Sequence, residues 1–349
     1  MQTKRKKIGP GNSCYFIAEL SHNHQGDGDI ALELIRQAAT AGANAVKFQK
    51  RNNKTLFLPD FYNAPYDNKN SFGQTYGQHR EFLEPRLEWL TEANTLAHSL
   101  GLDFIMTVFD TESLHFCEKH LSVDVYKIQS ADLSFDVLIK TVANTAKPYF
   151  VSTGASTLHE IKNAYALCTA LHSPFCFMYA VSAYPTPPGK INLVRFSQLR
   201  HILSAESMGY SCHYPGIEPA VYARVLGSVA IEKHFTLNKD QKGPDHKLSL
   251  LPGEFKDLVQ RANEVDMMIG MPLNSDHEIE YHQQDARAKM GKSPVALKDL
   301  SAGEKLMAED ISYLSPAKGM SPIEVNKFIG KPLVKCLKKG SYIQHENFQ

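Results

Sequence analysis

Short apolar runs alternate with longer segments of mixed polarity over residues 14–269 of the chain. Each run has the length of a buried strand, and the segments between the runs carry apolar residues at helical spacing. The segment Ile30 to Ala41 is one example, and Gly42 follows it as a glycine often follows a helix. Strand, helix and strand of these lengths imply parallel strands joined by right-handed crossovers.

Eight strand–helix units can be distinguished in this pattern. The predicted strands are residues 14–18, 45–49, 103–107, 123–128, 148–152, 175–180, 208–212 and 229–231. The predicted helices are residues 30–41, 86–99, 111–119, 135–145, 158–171, 193–203, 217–226 and 254–269. Eight such units predict an α/β fold, a (β/α)8 TIM barrel, with its active site at the C-terminal ends of the strands. The alternative is a doubly wound open sheet, which is weakened because no glycine-rich dinucleotide fingerprint follows the first strand.

Two regions depart from this alternation. Residues 50–84 are rich in Asn, Tyr and Gly, and we expect an irregular excursion there. From Met271 the chain is charged and poor in strand patterns, and from Ser293 short runs are split by turn residues, which predicts a compact β-rich module. The predicted domains are a barrel at residues 1–272, a linker or lone helix at 273–291 and a small β-rich domain at 292–349.

The overall composition is that of an ordinary soluble protein. A net charge of +1 provides no general attraction to nucleic acid or to a membrane surface. No run approaches the ~20 apolar residues that span a bilayer. The six cysteines form no CxxC pair or disulfide framework, as expected of reduced thiols in a cytoplasm. We therefore expect a soluble cytoplasmic protein with no nucleic acid or membrane partner.

Two histidines follow consecutive predicted strands. The apolar run Val225–Ile231 stops at Glu232, Lys233 and His234. Charged groups are costly in a core unless they are paired or bound to metal, so we expect the chain to emerge there at a functional rim. His213 ends the preceding strand in the same way. Two imidazoles at one rim predict a shared metal ion.

Polar residues at the other predicted strand ends converge on the same mouth. They are Glu19, Lys47, Gln49, Thr107, Lys127, Gln129, Ser130, Asp132, Ser152, Thr153, Tyr184, Ser211 and Glu232. The two lysines and the hydroxyls favour binding of a phosphate and a carboxylate, while the acidic residues favour acid–base chemistry or hydroxyl binding. Each residue alone has an ordinary explanation, such as a lysine lying along the rim or a serine capping a helix. Their convergence on one face predicts a site.

Several motifs resemble those of the sialic acid synthases, a family that condenses phosphoenolpyruvate with an N-acetylmannosamine-type sugar to a nonulosonic acid and releases phosphate. The matching stretches are residues 17–19, 23–26, 42–49, 75–81, 126–130, 151–154, 184–187 and 209–213, with 231–236 and 243–246 the most specific. The tail, residues 297–340, is similar to the family's antifreeze-like (SAF) domain. The resemblance covers nearly the whole chain.

The resemblance implies a barrel that binds a divalent metal, typically Mn²⁺, with Mg²⁺ or Co²⁺ as alternatives, through His213 and His234. It implies that phosphoenolpyruvate is held by Lys47, Thr107, Lys127, Ser130, Ser152, Ser182 and Ser211. It implies that the sugar meets Glu19, Gln49, Tyr184, Asp245 and Lys318. Glu19 and Asp132 are the expected catalytic carboxylates, beside the two histidines. The family also forms a domain-swapped homodimer, in which the small domain of one chain covers the barrel mouth of the other.

The chain departs from the family pattern at four places. Cys212 stands where an aspartate often precedes the first metal histidine, Asp132 where a glutamate is common, and Ser182 where an asparagine is common. Residues 315–319 replace the Arg-Pro-Gly of many bacterial members, and Lys318 lacks the planar fork of an arginine. These departures leave two alternatives open. One is a related synthase acting on a diacetamido-trideoxyhexose or a hexosamine 6-phosphate, and the other is a barrel that binds sugar without catalysis.

Overall fold

The computed structural model describes residues 1–270 and 283–348. Within them eight parallel strands close into a barrel in chain order. The strands are β1 (Tyr15–Glu19), β2 (Ala45–Lys50), β3 (Asp103–Val108), β4 (Val125–Ile128), β5 (Tyr149–Ser152), β6 (Phe175–Ala180), β7 (Met208–Cys212) and β8 (Ala230–His234). Pairing of β1 with β8 closes the ring, so the predicted TIM barrel is confirmed and the open sheet is excluded.

Helices follow the strands along the chain. The helices of the first 270 residues are α1 (Gly28–Thr40), α2 (Asn53–Leu56), α3 (Pro59–Tyr62), α4 (Tyr76–Leu83), α5 (Leu87–Ser99), α6 (Thr111–His120), α7 (Asp136–Ala143), α8 (Leu158–Ala170), α9 (Pro188–Ile191), α10 (Leu193–Ile202), α11 (Glu218–Val225) and α12 (Pro252–Ile269). Among the described residues, none of the helices has the length and apolar character needed to cross a membrane.

The expectation of an irregular excursion over residues 50–84 was wrong. This segment contains α2, α3 and α4. Pro59 stands in the first turn of α3, where its fixed φ and missing N–H cost nothing. The Thr75 side chain accepts a hydrogen bond from the Gln78 N–H and so caps α4. α2 and α3 have four residues each, too few to show a helical repeat, and two of the three buried positions of α4 are Gly77 and His79 rather than apolar side chains, which is why the hydrophobic pattern missed them.

Alternation along each strand separates two apolar cores. On β1, Tyr15 and Ile17 pack with Ile105 and Phe150 in the barrel interior, whereas the intervening Phe16 belongs to the larger core shared with the helices. This is the period of two expected for strands, whose side chains point to opposite faces. On β1 the next inward-facing residue after Tyr15 and Ile17 is the polar Glu19, which lines the mouth of the barrel.

The predicted end of the last strand at residue 231 was wrong, because β8 continues to His234, although Glu232 and His234 do line the mouth as expected. Glu232 and Lys233 are only 2% and 0% exposed. Glu232 is paired with Lys127, while Lys233 donates hydrogen bonds to the carbonyls of Tyr214 and Gly216 in the loop after β7. Charges with such partners can remain buried, so their presence did not mark the end of the strand.

Residues 271–349 form a second compact unit. Its described part contains α13 (Gln284–Met290) and an antiparallel pair, β9 (Ser293–Ala296) and β10 (Ile311–Leu314). Residues 331–340 form isolated bridges and turns rather than strands. The predicted linker or lone helix, 273–291, lies partly outside the described residues, and the rest of it contains α13.

Candidate active site

A cavity of about 530 Å³ lies at the C-terminal ends of the barrel strands. The predicted residues that line it are Glu19, Lys47, Gln49, Thr107, Lys127, Gln129, Ser130, Ser152, Ser182, Tyr184, Ser211, His213, Glu232, His234 and Asp245. Asp132 and Lys318 are not among the lining residues. Most of the polar residues that the sequence pattern assigned to one mouth therefore do meet there.

Strand register explains why these side chains meet. Glu19 is paired with Lys47 on one side and with His234 on the other. Thr107 is paired with Gln49 and with Lys127. Register partners on parallel strands lie level with each other and point to the same face, so a polar position on one strand is placed beside the polar position of the next.

The Lys47 ammonium forms an ion pair with Glu19 and donates a hydrogen bond to Thr107 Oγ1 at 3.0 Å. It lies 3.7 Å from Glu232 Oε1. Burial lowers the pKa of Lys47, but the charges of Glu19 and Glu232 outweigh burial and raise it above its ordinary value. Lys47 is only 3% exposed and is therefore a buried cation held in place by its partners.

Lys127 and Glu232 form a second buried pair, with Lys127 Nζ 2.6 Å from Glu232 Oε1. Ser211 donates a hydrogen bond to the same oxygen at 3.0 Å. Burial raises the pKa of Glu232, but Lys127 and Lys47 overcome that effect and lower it to about 2. Burial lowers the pKa of Lys127, and Lys47 adds to that lowering, so an incoming anion would stabilise the charged lysine.

Three serine hydroxyls at or just after the ends of β4, β5 and β6 also line the cavity, those of Ser130, Ser152 and Ser182. Ser130 Oγ accepts a hydrogen bond from the Gly154 N–H at 3.0 Å. A Cβ atom at Gly154 would lie 2.8 Å from Ser130 Oγ and closer still to Ser182 Oγ, so glycine lets both hydroxyls approach the loop. Ser152 Oγ is buried and has no hydrogen-bond partner among the described residues. Buried hydroxyls usually have partners, so this one suits a ligand oxygen.

His213 and His234 face each other with ring centroids 5.5 Å apart. The Nδ1–H of His213 donates to the Val181 carbonyl at 2.8 Å, which leaves the Nε2 lone pair available. Burial, with a smaller effect of His234, lowers the pKa of His213 to about 3, so the ring is neutral. His234 Nδ1 is buried, without a hydrogen-bond partner among the described residues.

Two imidazoles, one of them neutral and oriented by a backbone carbonyl, are suitable ligands for a divalent ion. Asp245 Oδ2 lies 3.8 Å from His234 Nδ1. In the described part of the chain, no group of three or more His, Cys, Asp or Glu side chains is arranged to hold a metal ion. Two histidines alone leave most coordination positions to water or substrate, as in a catalytic site rather than a structural one.

A chain of hydrogen bonds connects the carboxylates of Glu19 and Asp245 in the cavity wall. Gln49 Nε2 donates to Glu19 Oε1 at 2.8 Å and to Ser21 Oγ at 3.1 Å. Ser21 donates to Asp245 Oδ2 at 2.6 Å. The Tyr184 ring packs against His213, with centroids 4.2 Å apart. These side chains present a row of donors and acceptors suited to the hydroxyls of a sugar.

Asp132 lies beside the cavity in the turn Ser130–Asp132 and does not line it. Its Oδ2 is buried and has no hydrogen-bond partner in the described chain, and burial raises the pKa of the carboxyl to about 6. Lys318 belongs to the second compact unit, where its N–H donates to Ser293 Oγ at 2.8 Å.

Sequence reasoning did not single out several residues that line the cavity. They are Ser21, His22, Arg51, Tyr66, Arg80 and Phe109. A signal for Arg51 was available, because it follows Lys47 and Gln49 at the same period of two. Arg80 lies within the motif 75–81, but it is carried by α4, in the segment that was expected to be irregular. Glu232 was expected at the mouth, but its pairing with Lys127 was not predicted.

The chain is similar to known proteins over most of its length. Residues 34–273 match the sequence profile of the NeuB family, and residues 292–349 match that of the SAF domain. The N-acetylneuraminate-9-phosphate synthase of Mus musculus is 31% identical over 343 residues, which cover 98% of this chain and 94% of the relative. The N,N'-diacetyllegionaminic acid synthase of Campylobacter jejuni is 32% identical, with 94% of this chain and 98% of the relative covered.

Among solved structures, an N-acetylneuraminic acid synthetase from Leptospira borgpetersenii, in complex with citrate, superposes with a TM-score of 0.71. It is 28% identical and covers 82% of this chain and 94% of its own. The family profile alone spans more than half of the present chain. The resemblance inferred from the motifs is therefore confirmed, and the chain belongs to the NeuB family and carries a C-terminal SAF domain.

Proposed function

We propose that this chain condenses phosphoenolpyruvate with an N-acetylmannosamine-type sugar to form a nonulosonic acid and inorganic phosphate. The observation that carries the proposal is the juxtaposition, in one cavity, of two buried lysines, several hydroxyls and two facing histidines. The mouse and Campylobacter relatives are named as synthases of acids of this class.

Phosphoenolpyruvate, an anion with a phosphate and a carboxylate, binds at the lysines and hydroxyls of this proposed site. Lys47 and Lys127 supply the positive charge, and hydroxyls supply the remaining hydrogen bonds. The residues assigned to it are Lys47, Thr107, Lys127, Ser130, Ser152, Ser182 and Ser211. The cavity walls exclude water around the phosphate and so strengthen each of these contacts.

The sugar binds across the hydrogen-bonded row of Glu19, Gln49 and Asp245, with Tyr184 beside it. In this orientation its aldehyde carbon lies near the histidines and its hydroxyls meet the carboxylates. Lys318 is assigned to the sugar as the counterpart of an arginine that many family members use. That assignment requires the small domain of a partner chain to close over the mouth, as in a domain-swapped homodimer.

A divalent ion, Mn²⁺ or else Mg²⁺ or Co²⁺, is assigned to His213, which has an available Nε2 lone pair, and to His234, whose buried Nδ1 has no hydrogen-bond partner among the described residues. When bound, such an ion acts as a Lewis acid that makes the sugar aldehyde more electrophilic. The two rings supply the ligand atoms, and the Val181 carbonyl fixes the orientation of His213.

The reaction begins with attack of the phosphoenolpyruvate C3 on the aldehyde carbon, which forms a carbon–carbon bond while the aldehyde oxygen takes up a proton. Positive charge then develops at C2, and the Glu19 carboxylate, which lines the cavity, stabilises it. Water adds to C2 and loses a proton. The C2–O bond to phosphate breaks, and the C2 hydroxyl passes its proton to the departing phosphate, which leaves with the bridging oxygen as the C2 ketone forms. Lys47 and Lys127 neutralise the departing phosphate.

The test is phosphate release from phosphoenolpyruvate by the full-length chain, with and without sugar and with and without metal. We expect release only when phosphoenolpyruvate, sugar and metal are all present. Full activity after treatment with EDTA, or after combined His213→Ala and His234→Ala substitution, would show that the metal role is wrong. A panel of sugars that includes a diacetamido-trideoxyhexose distinguishes the proposed synthase from a related synthase with another substrate. Sugar binding without any phosphate release would indicate a barrel that binds sugar without catalysis.

A further inference from the structure

We propose that Arg51 and Arg80 bind a phosphate at the far end of the sugar, so that the substrate is an N-acetylhexosamine 6-phosphate. This inference rests on the proposed function and specifies its sugar. Both arginines line the cavity. They are carried by different elements, since Arg51 follows β2 and Arg80 lies in α4.

Arg51 is held rigidly in the cavity wall. It is only 6% exposed, and its guanidinium carbon lies 3.6 Å from the centroid of the Phe109 ring. Its Nη2 donates to Gln49 Oε1, and its Nη1 lies 3.2 Å from His22 Nε2. A guanidinium stacked on an aromatic ring and bonded at its edge is preorganised, which reduces the entropy lost when it binds an anion.

The positive charge of the pair is not neutralised within the described residues. Neither Arg51 nor Arg80 forms an ion pair there, and the nearby Glu84 carboxylate instead pairs with Lys50 and accepts the Arg51 N–H. Arg80 Nε donates to the Tyr76 hydroxyl at 2.9 Å. Burial, with a smaller effect of the Arg80 charge, lowers the pKa of Arg51 to about 10, and the Glu84 carboxylate opposes that lowering. Two guanidiniums that line one cavity and form no ion pair with a carboxylate among the described residues fit a phosphate.

The pair lies on the sugar side of the cavity. Arg51 is bonded to Gln49, which also reaches Glu19. His22, the other neighbour of Arg51, lies 4.0 Å from Asp245 through its Nδ1. Gln49 and Asp245 are the residues assigned to the sugar, whereas phosphoenolpyruvate has its own lysines and hydroxyls. The arginines therefore extend the sugar site.

The carbon count of the proposed reaction identifies the position of this phosphate. Three carbons from phosphoenolpyruvate and six from the hexosamine form a nine-carbon acid, so carbon 6 of the sugar becomes carbon 9 of the product. Carbon 6 is the end of the open chain opposite the reacting aldehyde. The mouse relative is named for a 9-phosphate product, while the Campylobacter relative is named for a product without one.

The experiment compares N-acetylmannosamine with N-acetylmannosamine 6-phosphate in the full-length chain, with Arg80→Gln and Arg51→Lys as test variants. The control is Arg36→Gln, since Arg36 is exposed on α1 and does not line the cavity. We expect the wild type to favour the phosphorylated sugar. In Arg80→Gln, loss of charge-assisted hydrogen bonds raises KM for that sugar by about ten- to a hundredfold. KM for phosphoenolpyruvate and for the unphosphorylated sugar stays unchanged.

Equal kcat/KM for the two sugars in the wild type would overturn the inference, as would an increase in KM for phosphoenolpyruvate alone in the arginine variants. A diacetamido-trideoxyhexose as the best substrate also overturns it and leaves the proposed condensation intact. If no sugar supports phosphate release, the condensation itself fails. In that case the shift in unfolding temperature on adding N-acetylmannosamine 6-phosphate tests whether the arginines bind its phosphate. Stabilisation of the wild type and of Arg36→Gln, but not of Arg80→Gln, supports the phosphate site. Equal shifts in all three proteins contradict it.

Discussion

Lys127 and Glu232 form a buried charge pair whose role, in the proposed function, is binding rather than stability. A buried ion pair adds little net stability, because desolvation offsets most of the attraction. Removing only Lys127 or only Glu232 lowers the free energy of unfolding, however, because the remaining charge stays buried without its partner. The pair therefore holds a cation in position at the floor of the cavity, ready for an anionic substrate, and Ser211 completes its hydrogen bonding.

Lys127→Met is expected to lower the free energy of unfolding by about 3 kcal/mol, the lower end for a broken buried pair, because Lys47 remains 3.7 Å from Glu232. The double variant Lys127→Met/Glu232→Gln removes both charges and recovers most of that loss. Neither protein binds phosphoenolpyruvate. Urea unfolding and calorimetric titration measure both effects. Tight binding of phosphoenolpyruvate by either variant would contradict the assigned role of Lys127.

Asp132 predicts a pH dependence of stability. Burial raises the pKa of its carboxyl to about 6, above an unfolded value of about 3.9. Between these values the folded state binds more protons than the unfolded state, so the contribution of Asp132 to stability is present below about pH 4 and is lost as the pH rises through about 6. Asp132→Asn is expected to stabilise the protein by about 1 kcal/mol at pH 8 after solvent screening, with no gain at pH 4. Urea unfolding at both pH values tests this, and the same difference at both would exclude a raised pKa.

At the scale of single elements, the polar residues at the ends of the predicted strands were enough to predict much of the site. In the structure, the alternation that puts Tyr15 and Ile17 inside the barrel also puts Glu19 on the inner face. The sequence pattern has limits. It did not predict which charges are paired, because pairing depends on register between strands distant in sequence. It also misplaced the end of β8, since the burial of Glu232 and Lys233 depends on partners that the local sequence does not reveal.

Gly154, in the loop after β5, has no side chain, and this leaves room for the hydroxyls that line the cavity. Gly154→Ala places a methyl group against the hydroxyls of Ser130 and Ser182. We expect KM for phosphoenolpyruvate to rise about tenfold, from loss of roughly one hydrogen bond, with little change in the unfolding midpoint. Gly253→Ala is the matched control, because a Cβ there meets nothing within 4 Å. Equal KM values for the two variants would show that these hydroxyls do not contact the substrate.

At the scale of the whole molecule, the repeat of strand and helix was sufficient to predict a closed barrel, because eight units leave few other arrangements. The segment carrying α4 was not predicted, although it supplies Arg80 to the cavity. The SAF domain was identified by its motifs rather than by hydrophobic alternation. Its described strands, Ser293–Ala296 and Ile311–Leu314, have only four residues each, too short for a distinctive period.

The proposed domain-swapped dimer predicts complementation between two defective chains. A Lys127→Met chain has a defective barrel and an intact small domain, whereas a Lys318→Ala chain has the reverse. Mixed dimers would contain one complete site, so unfolding and refolding the two chains together is expected to restore up to about a quarter of wild-type activity. Light scattering confirms the dimer. Activity no greater than that of the separately refolded variants would show that the small domain does not act on a partner's barrel.

The most direct test of the condensation follows the carbon atoms of phosphoenolpyruvate. Fully ¹³C-labelled phosphoenolpyruvate is incubated with the protein, Mn²⁺ and either N-acetylmannosamine or its 6-phosphate, and products are read by mass spectrometry alongside phosphate release. We predict a nine-carbon acid that carries three labelled carbons, with one phosphate released from phosphoenolpyruvate for each molecule formed. Phosphate release without a sugar, or no labelled nine-carbon acid from either sugar or from a diacetamido-trideoxyhexose, would contradict the proposed function.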